Sequence, residues 1–158
     1  MKITKDTKVW DQMKRNLLKG SNTELRVGFF ESDKYDESNG NLPVAQIAKW
    51  NDQGSEKNPQ RPFLTGSIGF MGAVRGGMYN SYFIESMQRI AEGTSTFQQE
   101  YRKLGPMMKE DVQDLIDKWD SPPNSPRTIE RKGVNNPLVD TGLMHDSVSW
   151  MVATKGGS

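Results

Sequence analysis

The sequence has no cysteine and only one histidine, His145. Without cysteine the chain can form neither disulfide bonds nor thiolate metal sites, and this composition suits a reducing cytosol. A single histidine with no thiol nucleophile supplies neither a metal site nor a catalytic triad. We therefore predict no catalytic residue, no bound metal and no cofactor.

Long apolar runs are also missing. No stretch approaches the roughly 20 apolar residues that a membrane-spanning helix needs, so we expect no membrane partner. The first ten residues, MKITKDTKVW, lack the apolar centre of a secretory signal. The glycine-dense run GSIGFMG contains neither GxGxxG nor GK[ST], which argues against a phosphate-binding loop.

The chain has no marked excess of either charge. Its 21 Lys and Arg residues against 20 Asp and Glu residues leave a net charge of +1, which gives no sign of a nucleic-acid partner. Hydrophobic residues make up 34% of the chain and the mean hydropathy is −0.76. For 158 residues, this composition predicts one domain over 1–158 with a modest core.

Residue spacing predicts several helices and little strand. Apolar residues at helical spacing predict helices over 6–19, 43–53, 81–92 and 97–119. Alternation predicts strands at 25–30 and 147–152. Because proline interrupts helices, Gly105-Pro106 predicts a kink or two abutting helices. The fold class is therefore α+β, with a small antiparallel sheet packed against several helices.

The remaining segments are predicted to be irregular. Polar residues at 31–41 and 55–60 indicate exposed loops, and the glycines of 66–77 favour a flexible arm or a β-hairpin. An N-terminal helix of about 6–19, a body of about 23–152 and a flexible tail at 153–158 make up the single domain.

Charged side chains form two groups. Glu110, Asp114 and Asp117 lie on the face of the long helix opposite its apolar stripe, as expected of a solvated surface. The only compact basic group, Arg127, Arg131 and Lys132, lies on a proline-bounded loop. This group suits a nucleic-acid phosphate backbone or an acidic groove on a neighbouring protein.

Two separated motifs are similar to one protein family. The first is VAQIA (44–48), followed by Asn51, Gly54 and the corner RPFL (61–64). The second is PPNSPRTIERKG (122–133), followed by NPLVDTGL (136–143) and DSV (146–148). In this order and spacing, over about residues 23–152, they resemble the head–tail joining and tail-completion proteins of tailed-phage necks.

The resemblance implies a structural virion protein without enzymatic activity, located in the virion and assembled in the cytoplasm of the bacterial host. It implies a homo-oligomeric ring of six or twelve copies, with long loops or arms used in assembly. The partners would be the head connector and the tail tube or sheath, with genomic DNA crossing the lumen unbound.

The expected structural and interface residues follow from the two motifs. Arg61-Pro62-Phe63 is expected to anchor an arm with Phe63 buried, and Arg127, Arg131 and Lys132 to contact an adjacent subunit or the connector. Pro137, Leu138 and Asp140 lead into the turn Thr141-Gly142, from which the last strand starts. The alternatives are a small nucleic-acid-binding protein that uses the basic group and, less favoured, an enzyme whose site the substrate completes.

Overall fold

The computed structural model describes residues 7–30, 33–56 and 58–155. In chain order its elements are α1 (Thr7–Lys19), β1 (Thr23–Gly28), α2 (Val44–Gln53), α3 (Ser67–Glu92), α4 (Phe97–Lys118), α5 (Pro126–Lys132), α6 (Leu143–Asp146) and β2 (Ser149–Thr154), with a short 3-10 turn at Glu37–Asn39. Helices packed on a small antiparallel sheet confirm the predicted α+β class.

The two strands pair over their full length. Thr23 lies opposite Thr154 and Gly28 lies opposite Ser149, in antiparallel register. The Lys155 N–H extends the ladder by donating to the Asn22 carbonyl (2.6 Å). The prediction of a flexible tail from residue 153 is therefore wrong for 153–155, and residues 156–158 lie outside the described part of the chain.

Helix α4 packs against both strands. Thr96 begins the helix with a capping box, in which its hydroxyl accepts from the Gln99 N–H and the Gln99 side chain accepts from the Thr96 N–H. Pro106 lies inside a continuous helix, so the predicted division into two helices is wrong. A Cβ built at Gly105 would lie 2.4 Å from the Trp150 ring, so this glycine permits close packing of helix on strand.

Helix α3 begins much earlier than the sequence indicates. The glycine-rich segment 66–77, predicted as an arm or hairpin, is helical from Ser67 onward. Each glycine weakens a helix by about 1 kcal/mol relative to alanine, which is why local propensity opposed this assignment. Tertiary contacts outweigh that cost: Arg75 Nη1 lies 2.7 Å from Asp111 Oδ1, and the Tyr79 hydroxyl donates to Asp111 Oδ2.

The core joins the two sequence motifs. Its buried side chains come from α2, the 61–64 corner, α4 and the segment before β2, namely Val44, Ala48, Phe63, Val112, Ile116, Leu138, Met144 and Val148. Phe29 meets Phe63 edge-on, with ring centroids 6.2 Å apart. The residues that carry the family resemblance therefore pack against each other across the long helix.

Candidate interaction surfaces

Arg61 fastens the RPFL corner to the proline-rich segment. Its Nε donates to the Pro122 carbonyl (3.0 Å), and its Nη2 donates to the Pro123 carbonyl (3.3 Å). Arg61 is only 5% exposed, and burial lowers the pKa of its guanidinium. The predicted burial of Phe63 is confirmed, but the arm that the corner was expected to anchor is the first part of α3. The carbonyl dipoles of Pro122 and Pro123 compensate the buried charge of Arg61.

Asp52 braces the same corner from α2. Its Oδ1 accepts from the backbone N–H groups of Leu64 (2.8 Å) and Thr65 (2.9 Å), and the side chain is buried. The Pro62 carbonyl accepts from the Gly66 N–H (2.7 Å) and closes the turn into α3. Sequence reasoning missed Asp52, because an aspartate in the last turn of a helix resembles an ordinary surface residue.

The basic group does not lie on a loop. Residues 126–132 form α5, with Ser125 as N-cap, Pro126 in the first turn and Gly133 at the C-cap with φ 74°. The assignment to a loop was wrong because proline is tolerated in the first helical turn, where its missing N–H has no partner to lose. Arg127 and Arg131 are exposed one turn apart on this helix.

Lys132 points inward, away from the two arginines. Its ammonium donates to the carbonyls of Asn136 (2.9 Å) and Val139, and it lies 3.9 Å from an Asp140 carboxylate oxygen. Only 11% of its side chain is exposed. The structure therefore separates Lys132 from the predicted basic surface and makes it an internal brace for the segment 136–140.

The segment after α5 is held by side-chain amides. Asn136 Oδ1 accepts from the N–H groups of Leu138 (3.1 Å) and Val139 (3.0 Å), while its Nδ2 donates to the Asp117 carbonyl (2.7 Å). These bonds direct Leu138 into the core, where it is buried, and leave Pro137 half-buried. The turn is thus fixed by hydrogen bonds within its own chain.

Thr141 and Gly142 start the last helix, α6. Gly142 occupies the N-cap position with φ 83°, in the left-handed region that favours glycine. The Thr141 hydroxyl accepts from the Leu143 N–H (3.3 Å), and the short helix α6 lies between this turn and the last strand. A Cβ at Gly142 would meet nothing within 4 Å, so φ, and not close packing, requires the glycine.

A small cavity lies beside this turn. It has a volume of about 180 Å³, and it is bounded by the loop before α2, by α2 itself and by the turn, through residues that include Tyr35, Ile47, Pro137, Asp140 and Gly142. Burial, with a smaller contribution from the Asp140 charge, raises the pKa of the Tyr35 hydroxyl. The cavity brings the 137–143 part of the second motif beside α2 of the first motif.

Two buried carboxylates join α3 to α4. Asp111 receives Arg75 and Tyr79, and burial together with the Asp111 hydrogen bond raises the pKa of Tyr79. Glu100 is 2% exposed and accepts from Arg89 Nη2 (2.8 Å) and the Ser86 hydroxyl (2.9 Å). Sequence reasoning missed both groups.

His145 sits between two aspartates. Its Nδ1 lies 2.9 Å from Asp146 Oδ1 and its Nε2 lies 3.5 Å from Asp117 Oδ2. In the described ranges, no group of three or more His, Cys, Asp or Glu side chains is arranged to hold a metal ion. Likewise, no helix in the described ranges is both long and apolar enough to cross a membrane.

Helices α1 and α3 leave large apolar side chains in solvent. Apolar residues recur at helical spacing along α1, yet no residue of this helix is buried, and Trp10 is 67% exposed. Asn16 of α1 donates to the Ala91 carbonyl (3.0 Å), which places the helix beside α3. On α3, Phe83 and Ile84 are 62% and 67% exposed.

An open groove of about 320 Å³ lies between α3 and α4. Its apolar lining includes Phe83, Met87, Tyr101, Leu104 and Met108. These side chains recur at helical spacing on the apolar faces of the two helices. The described chain leaves them exposed or only half-buried. We call the exposed side chains Val9, Trp10, Phe83 and Ile84, together with this groove, the apolar surface.

Comparison of the chain with protein-family models, curated protein sequences and solved structures finds no match.

Proposed function

We propose that this chain is a structural subunit of a tailed-phage neck, which assembles as a homo-oligomeric ring that joins the head connector to the tail or completes the tail end. The observation that carries the proposal is the apolar surface, which presents several large apolar side chains and an apolar groove to solvent, because exposed apolar surface of this kind marks interaction sites. Three side chains more than 60% exposed, Trp10, Phe83 and Ile84, lie on two adjacent helices.

The internal bracing of the second motif supports the same proposal. Arg61, Lys132 and Asn136 satisfy backbone carbonyls and N–H groups within the chain, so the segment from Pro122 to Val139 is ordered before assembly. A preorganised surface loses less conformational entropy when it binds. In this proposal the protein is not an enzyme, and its partners are its own copies, the connector and the tail tube or sheath.

A purified sample tests the proposal directly. Light scattering and electron microscopy, on the protein alone and with tail tubes, should show a closed ring, and Phe83→Ser should prevent ring formation while leaving the melting temperature unchanged. Val134→Ser is the matched control, because Val134 is 58% exposed but lies outside the apolar surface. A monomeric protein that associates with neither tails nor heads would contradict the proposal.

The nucleic-acid alternative is weakened by the orientation of Lys132. Two exposed arginines, Arg127 and Arg131, would give a log–log salt slope of only about −2 for duplex DNA, since each phosphate contact contributes about −0.9. A much steeper salt dependence that disappears in Arg127→Ala with Arg131→Ala would favour the alternative. The neck proposal expects no measurable affinity at physiological salt.

A further inference from the structure

The two-stranded sheet has two open edges. The bond from the Lys155 N–H to the Asn22 carbonyl makes these two residues a hydrogen-bonded pair. Since such pairs alternate along an antiparallel ladder, the pairs 24/153 and 26/151 also bond inward. The N–H and C=O groups of Leu25 and Val27 therefore point away from β2, and those of Trp150 and Val152 point away from β1.

In the described part of the chain, no backbone hydrogen bond and no helix occupies these edges. No backbone hydrogen bond between described residues reaches the outward groups of Leu25, Val27, Trp150 or Val152. Of the described helices, only α4 contacts the strands, and it lies against one face, where Trp150 meets Gly105. Each edge thus presents a row of backbone donors and acceptors to solvent.

The edge of β2 also lacks the usual protection. Proteins blunt exposed edges with charged side chains, proline or bulges, because an open edge is a template for another strand. The β2 sequence SWMVAT contains no charged residue and no proline, and it pairs without a bulge.

We propose that β1 of one copy pairs with β2 of the next copy, so that the assembly is built on one continuous antiparallel sheet. Because β1 and β2 run in opposite directions, a second copy in the same orientation can place its β1 antiparallel to β2 of the first copy. This head-to-tail pairing uses two different edges and closes into a ring, in which no edge remains.

The geometry favours this pairing over a two-fold β2–β2 dimer. The dimer would leave the outward groups of Leu25 and Val27 unpaired in both copies, whereas the ring pairs both edges of every copy. Helix α4 covers the face of the sheet that carries Trp150. In the closed ring this helix-covered face lies outside. The opposite face, which carries Glu24, Arg26 and Met151, then lines the inside. This inference rests on the proposed ring and adds a second contact between copies, beside the apolar surface.

Single-cysteine variants test the pairing, since the natural chain has no cysteine and every disulfide must join two copies. Arg26→Cys and Met151→Cys place thiols on the exposed side of the sheet, one on each strand. A mixture of the two variants should form disulfide-linked dimers, while neither variant should do so alone. Ala153→Cys replaces Met151→Cys to sample a register shifted by two residues.

Thr154→Pro supplies an independent readout. The Thr154 N–H points outward and its side chain is exposed, so proline removes an edge donor without breaking the ladder within the chain. We expect at least a tenfold loss of assembled protein for Thr154→Pro and none for Thr154→Ala, with unchanged melting of the isolated subunits.

The outcomes separate this inference from the neck function. Cross-links of Met151→Cys with itself, or no cross-link in any mixture, would overturn the pairing of β1 with β2. Rings that complete virions without cross-links would leave the neck function standing and remove only the strand pairing. Cross-linked assemblies that never restore virion completion would support the pairing and contradict the function.

Discussion

Removal of the Glu100 carboxylate should be one of the most damaging changes outside the apolar core. The side chain is 2% exposed and joins the hydroxyl of Ser86 with the cations of Arg89 and Lys103, at 2.8–3.2 Å. Loss of one partner from a buried ion pair typically costs about 3–5 kcal/mol. We expect Glu100→Ala to lower the free energy of unfolding toward the lower end of that range, because Arg89 and Lys103 are partly exposed and can be rehydrated.

The pH dependence gives this prediction a sign. The Arg89 hydrogen bond is the main cause of a pKa of Glu100 far below its usual range. A lowered folded-state pKa contributes stability above the unfolded-state pKa of about 4.3, and that contribution is lost as the pH falls toward the folded-state pKa. The difference between parent and Glu100→Gln should therefore shrink between pH 7 and pH 3.

Urea unfolding at pH 7, 5 and 3 measures both effects. Glu85→Gln is the matched control, because Glu85 pairs with the same Arg89 at 3.4 Å but is 66% exposed, and exposed pairs contribute at most about 1 kcal/mol. Equal unfolding midpoints for Glu100→Ala and Glu85→Gln at pH 7 would refute the reasoning. So would a difference for Glu100→Gln that grows on acidification.

Three further substitutions test the internal brace at Lys132, the left-handed turn at Gly142 and the close helix–strand contact at Gly105. Lys132→Ala should destabilise the subunit by about 1–3 kcal/mol, because it leaves buried carbonyls unpaired. Arg131→Ala, the control, should change the free energy of unfolding by no more than about 0.5 kcal/mol. Similar melting of the two variants would contradict the inward placement of Lys132. Gly142→Val should cost about 1–3 kcal/mol through its φ of 83°, so an unchanged urea midpoint would show that the turn relaxes. Gly105→Ala should displace Trp150, shift its fluorescence and cost about 1–3 kcal/mol, and an unperturbed emission spectrum would count against the close contact.

The sequence predicts the helices and strands in which apolar residues recur at one regular spacing. Helices α1, α2 and α4 and both strands lie close to the predicted ranges, because the spacing of apolar residues alone identifies the type of element. The first half of α3 and the whole of α5 were missed, since glycine and proline argue locally against helices. In α3 the contact of Arg75 with Asp111, 36 positions apart, outweighs that local preference.

The buried polar groups could not be identified from local pattern. Glu100 is one of several charged residues early in α4, and its burial depends on Ser86 and Arg89 of another helix. The pattern did contain a signal, because Tyr82, Ser86 and Arg89 share one face of α3 at i, i+4 and i+7. Lys132 gives no comparable signal, since its carbonyl acceptors belong to a turn whose shape the sequence does not specify.

Side chains that brace the subunit internally and groups that stay exposed should affect assembly and stability differently when they are mutated. Arg61 and Lys132 use their charges on carbonyls of their own chain, so a partner cannot engage them without first breaking the subunit. Phe83 and the outward groups of β2 contribute little to the isolated fold and remain available. Changes at the first set should therefore reduce assembly only in proportion to lost stability, whereas changes at the second set should reduce assembly at constant stability. A plot of assembly yield against the free energy of unfolding, over variants of both sets, should resolve into two lines. A single common line would mean that the internal braces and the exposed groups affect assembly through the same property.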